Sequence, residues 1–297
     1  MNFRIYYNQV IYPELLRLER RRKLMVVALV GTIALVVLFV IFIFSLKIPA
    51  VVLFFWMPFV PLFMLINNRF QNYRRLFKPR VVQLILQHIH AQLRYDPDGQ
   101  IPQARFMASG LFSAEPSAYH AEDFIAGTIG NIKFELCELD VRQEAIVEGA
   151  PSVLFKGLFF YTATPEPFEG RVLIFPNEET QYHIRSIKAI TRMGGFRVDM
   201  AESSFNTHYS VFADSATDVS NLLSDNLIND IASYKEKYDK RFFIAFNDGY
   251  FYLAVANPRD ILEPSLWKSN VSFKLIKEFY DDLTMITSIV RDFDLDN

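Results

Sequence analysis

The sequence predicts an α+β protein, with a two-helix transmembrane hairpin near the N-terminus and then a soluble domain built on a mainly antiparallel sheet and several helices. Three observations predict this class. Two long apolar runs occupy residues 24–46 and 48–66. Alternating apolar residues bounded by turn residues recur between residues 123 and 255, and stretches with helical spacing separate them. Strands joined by hairpins, rather than alternating regularly with helices, are typical of α+β proteins.

The two apolar runs are each long enough to cross a bilayer. Neither contains a charged side chain, and only Lys47 separates them. A helix of roughly 20 apolar residues spans the ~30 Å hydrocarbon core, so each run can cross once. Pro58 and Pro61 interrupt the second run. Because proline removes a backbone hydrogen bond, a hairpin that enters only one leaflet is the alternative.

Basic side chains flank the two runs on their outer sides. Positively charged residues near a span favour the cytoplasm, which predicts a multi-pass protein with cytoplasmic N- and C-termini and with Lys47 at the opposite face. The lipid bilayer is then the first predicted partner. The predicted membrane-flanking residues are Arg17, Arg20, Arg21, Arg22, Lys23, Lys47, Arg69, Arg74, Arg75, Lys78 and Arg80.

Charge and hydropathy divide the chain into four segments. They are a basic amphipathic segment (1–23), the transmembrane hairpin (24–66), a basic collar with a linker helix (67–95) and a cytoplasmic α+β domain (96–297). The stretch from Pro13 to Leu24 is expected to be a helix that begins at the proline. The sequence leaves open whether residues 96–297 form one domain or two subdomains that divide near 192–197. Residues 81–297 carry a net charge of about −12, which argues against nucleic-acid binding.

Turn residues place the strands of the predicted sheet. The Asn247–Asp248–Gly249 stretch is typical of a tight hairpin turn, and Gly130–Asn131 marks a second one. The predicted strand pairs cover residues 123–141, 153–175 and 241–255, single strands cover 196–200 and 209–213, and helices cover 78–95, 217–238 and 272–291.

Five polar residues are candidates for a pocket assembled from distant parts of the chain: His120, Glu122, Asp123, His183 and His208. Their spacing is not that of a zinc site, since the chain has no HExxH motif and no paired CxxC. The loop around Gly99 does not fit a calcium loop, because Arg94 and Arg105 occupy the positions where acids are required. The sequence therefore predicts neither a metal nor a cofactor.

The sequence carries no recognisable catalytic motif. It has no GxSxG elbow, no Walker A loop and no GxGxxG fingerprint, and nothing near Cys137 would activate its thiol. The aromatic residues of the later strands, among them Tyr161, Tyr250 and Tyr252, are either sheet core or a partner surface. The favoured function is a non-enzymatic, membrane-anchored protein that binds another protein or its own copies. The alternatives are an enzyme or ligand sensor and a lipid-headgroup-binding module.

A series of short motifs between residues 95 and 267 is similar to a known family. In order they are YDPDGQI, SGLF, EDFIAGTIG, FELCELDV, FKGLFF, FEGRVLIFP, YSVFADS, FNDGYFYLAV and LEPSLW. Together they resemble the uncharacterised bacterial two-span membrane family catalogued as domain of unknown function 3137. The resemblance implies an inner-membrane protein with a cytoplasmic domain, no established activity and no catalytic residues. It also implies a LemA-type membrane protein as a partner.

Overall fold

The fold is taken from a computed structural model of the chain. The residues it describes are 2–45, 59–144, 152–164, 168–178, 183–192, 194–200, 203–214, 217, 219–223, 225–238, 240–257 and 264–295. They form two compact units. Unit 1 comprises Met1–His88 and Leu262–Phe279, and unit 2 comprises Ile89–Ile261 and Tyr280–Asn297.

Helices and strands alternate irregularly along the chain. The helices are α1 (Phe3–Tyr6), α2 (Tyr12–Ser45), α3 (Phe59–Ile89), α4 (Gln103–Ala108), α5 (Ile184–Arg192), α6 (Ser203–His208), α7 (Val219–Leu222), α8 (Asp225–Tyr238) and α9 (Phe273–Leu295). The strands are β1 (Arg94–Asp96), β2 (Ala118–Ile129), β3 (Ile132–Gln143), β4 (Ser152–Ala163), β5 (Arg171–Pro176), β6 (Phe196–Val198), β7 (Tyr209–Ala213), β8 (Phe242–Asn247) and β9 (Tyr250–Ala256).

The first helical stretch of unit 1 begins at Phe3, before the proline at which the sequence predicts a start. The Asn2 side chain accepts a hydrogen bond from the Arg4 N–H at 2.9 Å and so caps α1. A π-helical turn over Tyr7–Ile11 joins α1 to α2. Proline has no N–H and crowds the carbonyl four residues before it, and the wider turn ahead of Pro13 accommodates both effects.

Helices α2 and α3 run antiparallel within unit 1. The Tyr6 hydroxyl donates to the Leu84 carbonyl at 2.8 Å, and Arg80 donates to Glu14 at 3.1 Å. Residues early in the first helical stretch therefore contact residues late in α3. Several apolar side chains of both stretches are buried, among them Ile11, Leu15, Val81 and Ile85.

The second predicted span is described only in part. Residues 59–66 belong to α3, whereas residues 46–58, with Lys47, Pro49 and Pro58, lie outside the described residues. The two-helix transmembrane hairpin therefore stays a prediction.

One N-terminal helical stretch is long and apolar enough to span a membrane. Among the described residues, Phe3–Phe42 meets both conditions, and only 11% of its apolar window is buried inside the protein. Leu24 is 71% exposed and Leu38 is 63% exposed. The core helix of a soluble protein would bury such an apolar surface, whereas a lipid-facing helix leaves it uncovered by protein.

Unit 2 is built on an antiparallel sheet. Its described strands follow the order β1-β2-β3-β4-β9-β8-β5-β7-β6, and every neighbouring pair is antiparallel. This confirms the predicted combination of helices with an antiparallel sheet. Strands on both sides of residues 192–197 belong to this one sheet.

The predicted hairpins differ in outcome. The β2–β3 and β8–β9 hairpins are confirmed, with Gly130 and Gly249 in their turns at positive φ. Residues 153–175 do form two strands, β4 and β5, but their direct pairing was wrong. The β8–β9 hairpin lies between them, so β4 pairs with β9 and β5 pairs with β8. The helices predicted near residues 217–238 and 272–291 are present as α7 with α8 and as α9.

Both faces of the central strands are buried. On one face, Phe106 of α4 and Ile190 of α5 join Phe159 of β4 and Phe243 of β8 in a single apolar cluster. The Phe106 ring meets the Phe159 ring edge-on, with centroids 5.2 Å apart. The opposite face is also buried along these strands, at Phe160, Phe251, Leu253 and Ile244. A sheet covered on both faces explains strands that are apolar and aromatic at nearly every position.

Candidate functional site

The five pocket candidates predicted from the sequence lie in different parts of unit 2. His120 and Glu122 are exposed on β2, and His208 ends α6 just before β7. Strands β2 and β7 are six positions apart in the sheet, about 29 Å at ~4.8 Å per strand. The structure therefore does not gather all five residues in one pocket.

His183 is part of the core. It is 8% exposed, and its ring stacks on Phe175 with centroids 4.5 Å apart. Its Nδ1 lies 3.1 Å from the Leu111 carbonyl, which also accepts a hydrogen bond from the Ser186 hydroxyl at 3.1 Å. This histidine joins the loop at Leu111 to the start of α5.

Glu122 and Asp123 do come together, but with Glu138 instead of His120. Glu122 faces Glu138 across β2 and β3, and a bulge after Glu122 leaves Asp123 at φ 58°. Oxygen atoms of the three carboxylates lie within 4.8 Å of one another, and the Tyr95 hydroxyl donates to Asp123. Such oxygens suit Ca²⁺ or Mg²⁺, so these residues could hold a cation. Exposed acidic clusters are common without an ion, and we assign none here.

A groove lies at the end of the sheet where the β2–β3 turn, the last residues of β4 and the first residue of β9 meet. Its volume is about 930 Å³. We call it the sheet-end groove. It is lined by Ala91, Gln92, Arg94, Ala126, Gly127, Thr128, Gly130, Lys133, Phe134, Glu135, Tyr161, Thr162, Ala163 and Tyr250. The lining combines two basic side chains and one acidic side chain with three aromatic rings.

A tyrosine–arginine network borders the sheet-end groove. The Tyr161 hydroxyl donates to Glu135 at 2.6 Å. The Arg105 guanidinium carbon lies 4.3 Å from the centre of the Tyr250 ring and 4.9 Å from that of Tyr161. At these distances the cation is attracted to both rings. The residue after Arg105 is the fully buried Phe106, which fixes α4 on the sheet and with it the guanidinium.

The protonation states of this network follow from its surroundings. Burial raises the pKa of Tyr161 above its ordinary value, and the hydrogen bond to Glu135 raises it further, so the phenol remains a donor. The hydrogen bond with Tyr252 raises the pKa of Arg105 and outweighs the opposing effect of burial. Arg105 therefore keeps its positive charge at every physiological pH.

Cys137 is a core residue. Its side chain is fully buried on β3, and it belongs to the same apolar cluster as Phe159. Burial raises the pKa of the Cys137 thiol to about 12. Because the thiolate is the reactive form, this cysteine is not a nucleophile at neutral pH.

The predicted membrane-flanking residues of unit 1 differ in exposure. Lys47 lies outside the described residues. Arg22 and Lys78 are each only 7% exposed. The exposed members are Arg17, Arg20, Arg21, Lys23, Arg69, Arg74, Arg75 and Arg80.

The buried Arg22 belongs to a polar cluster inside unit 1. It forms a two-point ion pair with Glu19, at 2.6 and 2.9 Å, and donates to the Leu266 carbonyl. The Asn270 N–H donates to Glu19 at 3.3 Å, and the Asn270 side chain donates to the Tyr73 hydroxyl at 3.1 Å. These bonds attach the segment around residues 264–272 to α2 and α3.

Sequence reasoning missed the sheet-end groove as a unit. Its residues come from positions 91 to 250. No local sequence pattern indicates that Arg94, Lys133 and Glu135 line the same groove as Tyr250. The one available signal was the excess of aromatic residues on β4 and β9. Most of these rings are core, as Phe159 and Tyr252 are, while Tyr161 and Tyr250 are half-buried in the groove.

Comparisons with known proteins bear on the family and on little else. The chain is similar to the crystal structure of the mycobacterial trehalose monomycolate transport factor A, TtfA, with 9% identity and a TM-score of 0.36 over 71% of this chain and 97% of that one. At this TM-score the likeness supports no argument. No curated protein matches the chain. A family model described as "Protein of unknown function (DUF3137)" matches residues 153–295. The match over these residues confirms the resemblance to this family that its motifs indicate.

Proposed function

We propose that this protein is a membrane-anchored interaction protein: α2 holds the chain in a bilayer, and the sheet-end groove of unit 2 binds a segment of a partner protein. The anchoring part is supported by the apolar surface of the first helical stretch, of which only 11% is buried by the protein itself. Exposing apolar surface to water costs a free energy of roughly 25 cal/mol per Å², so an aqueous environment is unfavourable for this helix.

The proposed location is the bacterial inner membrane, with two crossings and both termini in the cytoplasm. Exposed basic residues on both outer flanks support it, such as Arg20 and Lys23 before the first run and Arg74 and Arg75 after the second. The antiparallel contacts between α2 and α3 agree with a chain that leaves and returns on the same side.

The observation that carries the binding part is the composition of the sheet-end groove. Protein interfaces are enriched in tyrosine, phenylalanine and arginine, and their strongest contacts come from such residues. The groove offers Phe134, Tyr161 and Tyr250 with Arg94, and Arg105 orders the two tyrosine rings.

Site-specific photocrosslinking in living cells tests this proposal. A photoreactive phenylalanine derivative at Lys133, exposed at the groove, is compared with the same probe at Lys188, exposed on α5. We expect discrete protein adducts from position 133 and none from position 188. Another copy of this chain and a LemA-type membrane protein are the partners to test first.

A second variant separates groove binding from chance proximity. Tyr250→Ala removes a ring of the groove, whereas Phe196→Ala removes a ring that is 53% exposed on β6. We expect the adducts at position 133 to disappear only with Tyr250→Ala. Adducts that are equally strong in both variants, or an absence of adducts at position 133, would refute the binding proposal.

A further inference from the structure

We infer that a cleft between α2 and α3 binds one anionic phospholipid, with an acyl chain along its apolar wall and the phosphate between Arg21 and Arg69. The inference goes beyond partner binding by unit 2 and rests on the proposed anchoring of α2. The cleft lies within unit 1 and has a volume of about 550 Å³.

The wall of the cleft is apolar. Leu24, Met25 and Ala28 contribute it from α2, and Leu65 and Ile66 contribute it from α3. Several of these side chains are far from buried, since Leu24 is 71% exposed and Leu65 is 59% exposed. A wall of this kind matches a hydrocarbon chain better than it matches water.

The cleft also carries positive charge. Arg21 and Arg69 both line it, as does Asn72. Neither arginine has an ion-pair partner among the described residues, in contrast to Arg17 with Glu14 at 2.8 Å and Arg22 with Glu19 at 2.6 Å. Guanidinium groups bind phosphate oxygens with two parallel hydrogen bonds, so two unpaired arginines in one cleft suit an anionic headgroup.

Arg21 and Arg69 occupy corresponding positions relative to the two apolar runs of the antiparallel helices α2 and α3. Arg21 comes three residues before Leu24, where the first apolar run begins, and Arg69 comes three residues after Ile66, where the second ends. Both arginines therefore stand at the sequence boundary between an apolar run and its basic flank. In a bilayer this boundary is the headgroup level, where basic pockets between helices bind anionic lipids. A free phosphate would use the arginines alone and leave the apolar wall unexplained.

Fluorescence quenching by brominated phospholipids in nanodiscs tests the inference on the full chain. The two natural tryptophans, Trp56 and Trp267, are replaced by phenylalanine, and Met25→Trp places one tryptophan in the cleft. Brominated phosphatidylglycerol is then compared with brominated phosphatidylcholine at equal mole fraction. We expect quenching to favour phosphatidylglycerol, with a preference on the order of fivefold for each arginine.

Matched charge removal supplies the control. Arg21→Gln with Arg69→Gln should abolish the preference. Arg20→Gln with Arg75→Gln removes the same charge from the same two helices outside the cleft and should leave the preference intact. Equal loss in both pairs, or no preference in the parent protein, would overturn the lipid site while leaving the anchor in place. Absence of quenching by either lipid would overturn the anchor as well.

A measurement without the added tryptophan guards against a folding defect. Native mass spectrometry of the purified chain should show one retained phosphatidylglycerol per chain, and the Arg21→Gln, Arg69→Gln variant should lose it. Retention of that lipid by the double variant would contradict the inference.

Discussion

Within unit 1, the side chains of Glu19 and Arg22 bind the segment around residues 264–272 to α2. Glu19 and Arg22 are 5% and 7% exposed, and the segment near Asn270 depends on them for its hydrogen bonds. Removing one member of a buried ion pair leaves the other charge without compensation, which is far more costly than losing an exposed pair. The Glu19–Arg22 pair is therefore expected to matter more for the stability of unit 1 than its exposed ion pairs do.

We predict that Glu19→Gln destabilises the protein by about 3 kcal/mol, because Arg22 stays buried with half its partners gone. Glu14→Gln is the matched control, since Glu14 pairs with Arg17 and Arg80, whose side chains are 68% and 63% exposed. That variant should lose at most about 1 kcal/mol. Thermal unfolding in detergent, followed by circular dichroism, compares the two. Equal midpoints for both variants would refute the assigned importance of Glu19.

The Cys137 thiol should be unreactive in the folded protein. Its pKa of about 12 lies above that of an exposed thiol, so the folded state retains the proton as the pH rises. We expect alkylation to be negligible from pH 7 to 9 and rapid once the chain is unfolded, as followed by the mass of the intact protein. Rapid alkylation of the native protein at pH 7.5 would contradict the buried position.

The raised pKa of Cys137 also affects the stability of the fold. The contribution of the protonated thiol to the free energy of unfolding is present at neutral pH and is lost as the pH rises from about 9 toward 12.

At the scale of elements, turn glycines set the register of the sheet. Asp248 and Gly249 form the β8–β9 turn with φ of 51° and 75°, the signs that a two-residue hairpin of type I′ requires. Gly157 is different, because it lies inside β4 at φ 147° where the strand approaches β9. A side chain there would collide with the Val255 carbonyl, whereas a Cβ atom added at Gly249 would meet no other atom within 4 Å.

We predict that alanine substitutions at these two glycines destabilise the protein to different extents. Gly249→Ala should cost about 1–2 kcal/mol, since only its left-handed backbone opposes the methyl group. Gly157→Ala should cost clearly more, because backbone strain is joined by a clash that separates β4 from β9. Thermal melts of the two variants test the order. A Gly157→Ala variant as stable as Gly249→Ala would show that β4 and β9 do not approach this closely.

Local sequence patterns predicted the strands and helices better than they predicted which strands pair. Asp248–Gly249 indicates a turn, and the alternation of apolar residues along β2 and β3 indicates those two strands. The pairing of β4 with β9 was not predictable from local pattern, because the residues that meet, such as Phe159 and Ala254, are almost a hundred positions apart. The return of Leu262–Phe279 to the N-terminal helices was missed for the same reason. The sheet-end groove depends on these long-range pairings, so it could not be assembled from the sequence.

At the scale of the whole molecule, the chain contains an apolar helix that the protein leaves exposed and a sheet domain that has its own core. Unit 2 buries both faces of its central strands and needs no membrane to cover them. The first helical stretch of unit 1 leaves its apolar window almost entirely uncovered. Lipid binding between α2 and α3 assumes that a bilayer provides that cover, whereas partner binding at the sheet-end groove does not require it.

The proposed orientation predicts the labelling of a cysteine placed at Lys47. Because basic residues flank the outer ends of both apolar runs, residue 47 should face the side opposite the cytoplasm. We expect a membrane-impermeant maleimide to label Lys47→Cys in spheroplasts without permeabilisation. The buried Cys137 provides the unlabelled background. Labelling only after permeabilisation would instead support a hairpin that enters one leaflet from the cytoplasm.

Sodium carbonate extraction of native membranes tests the central claim, that α2 anchors the protein in a bilayer, most directly. The full-length chain should stay in the membrane pellet. Val30→Arg with Leu38→Arg should increase the fraction that is released, since each arginine within a span costs about 2.5–3.5 kcal/mol. Leu275→Arg, at a position 52% exposed on α9, should have no effect. Release of the unmodified chain into the carbonate supernatant would contradict the anchor and the lipid site that depends on it.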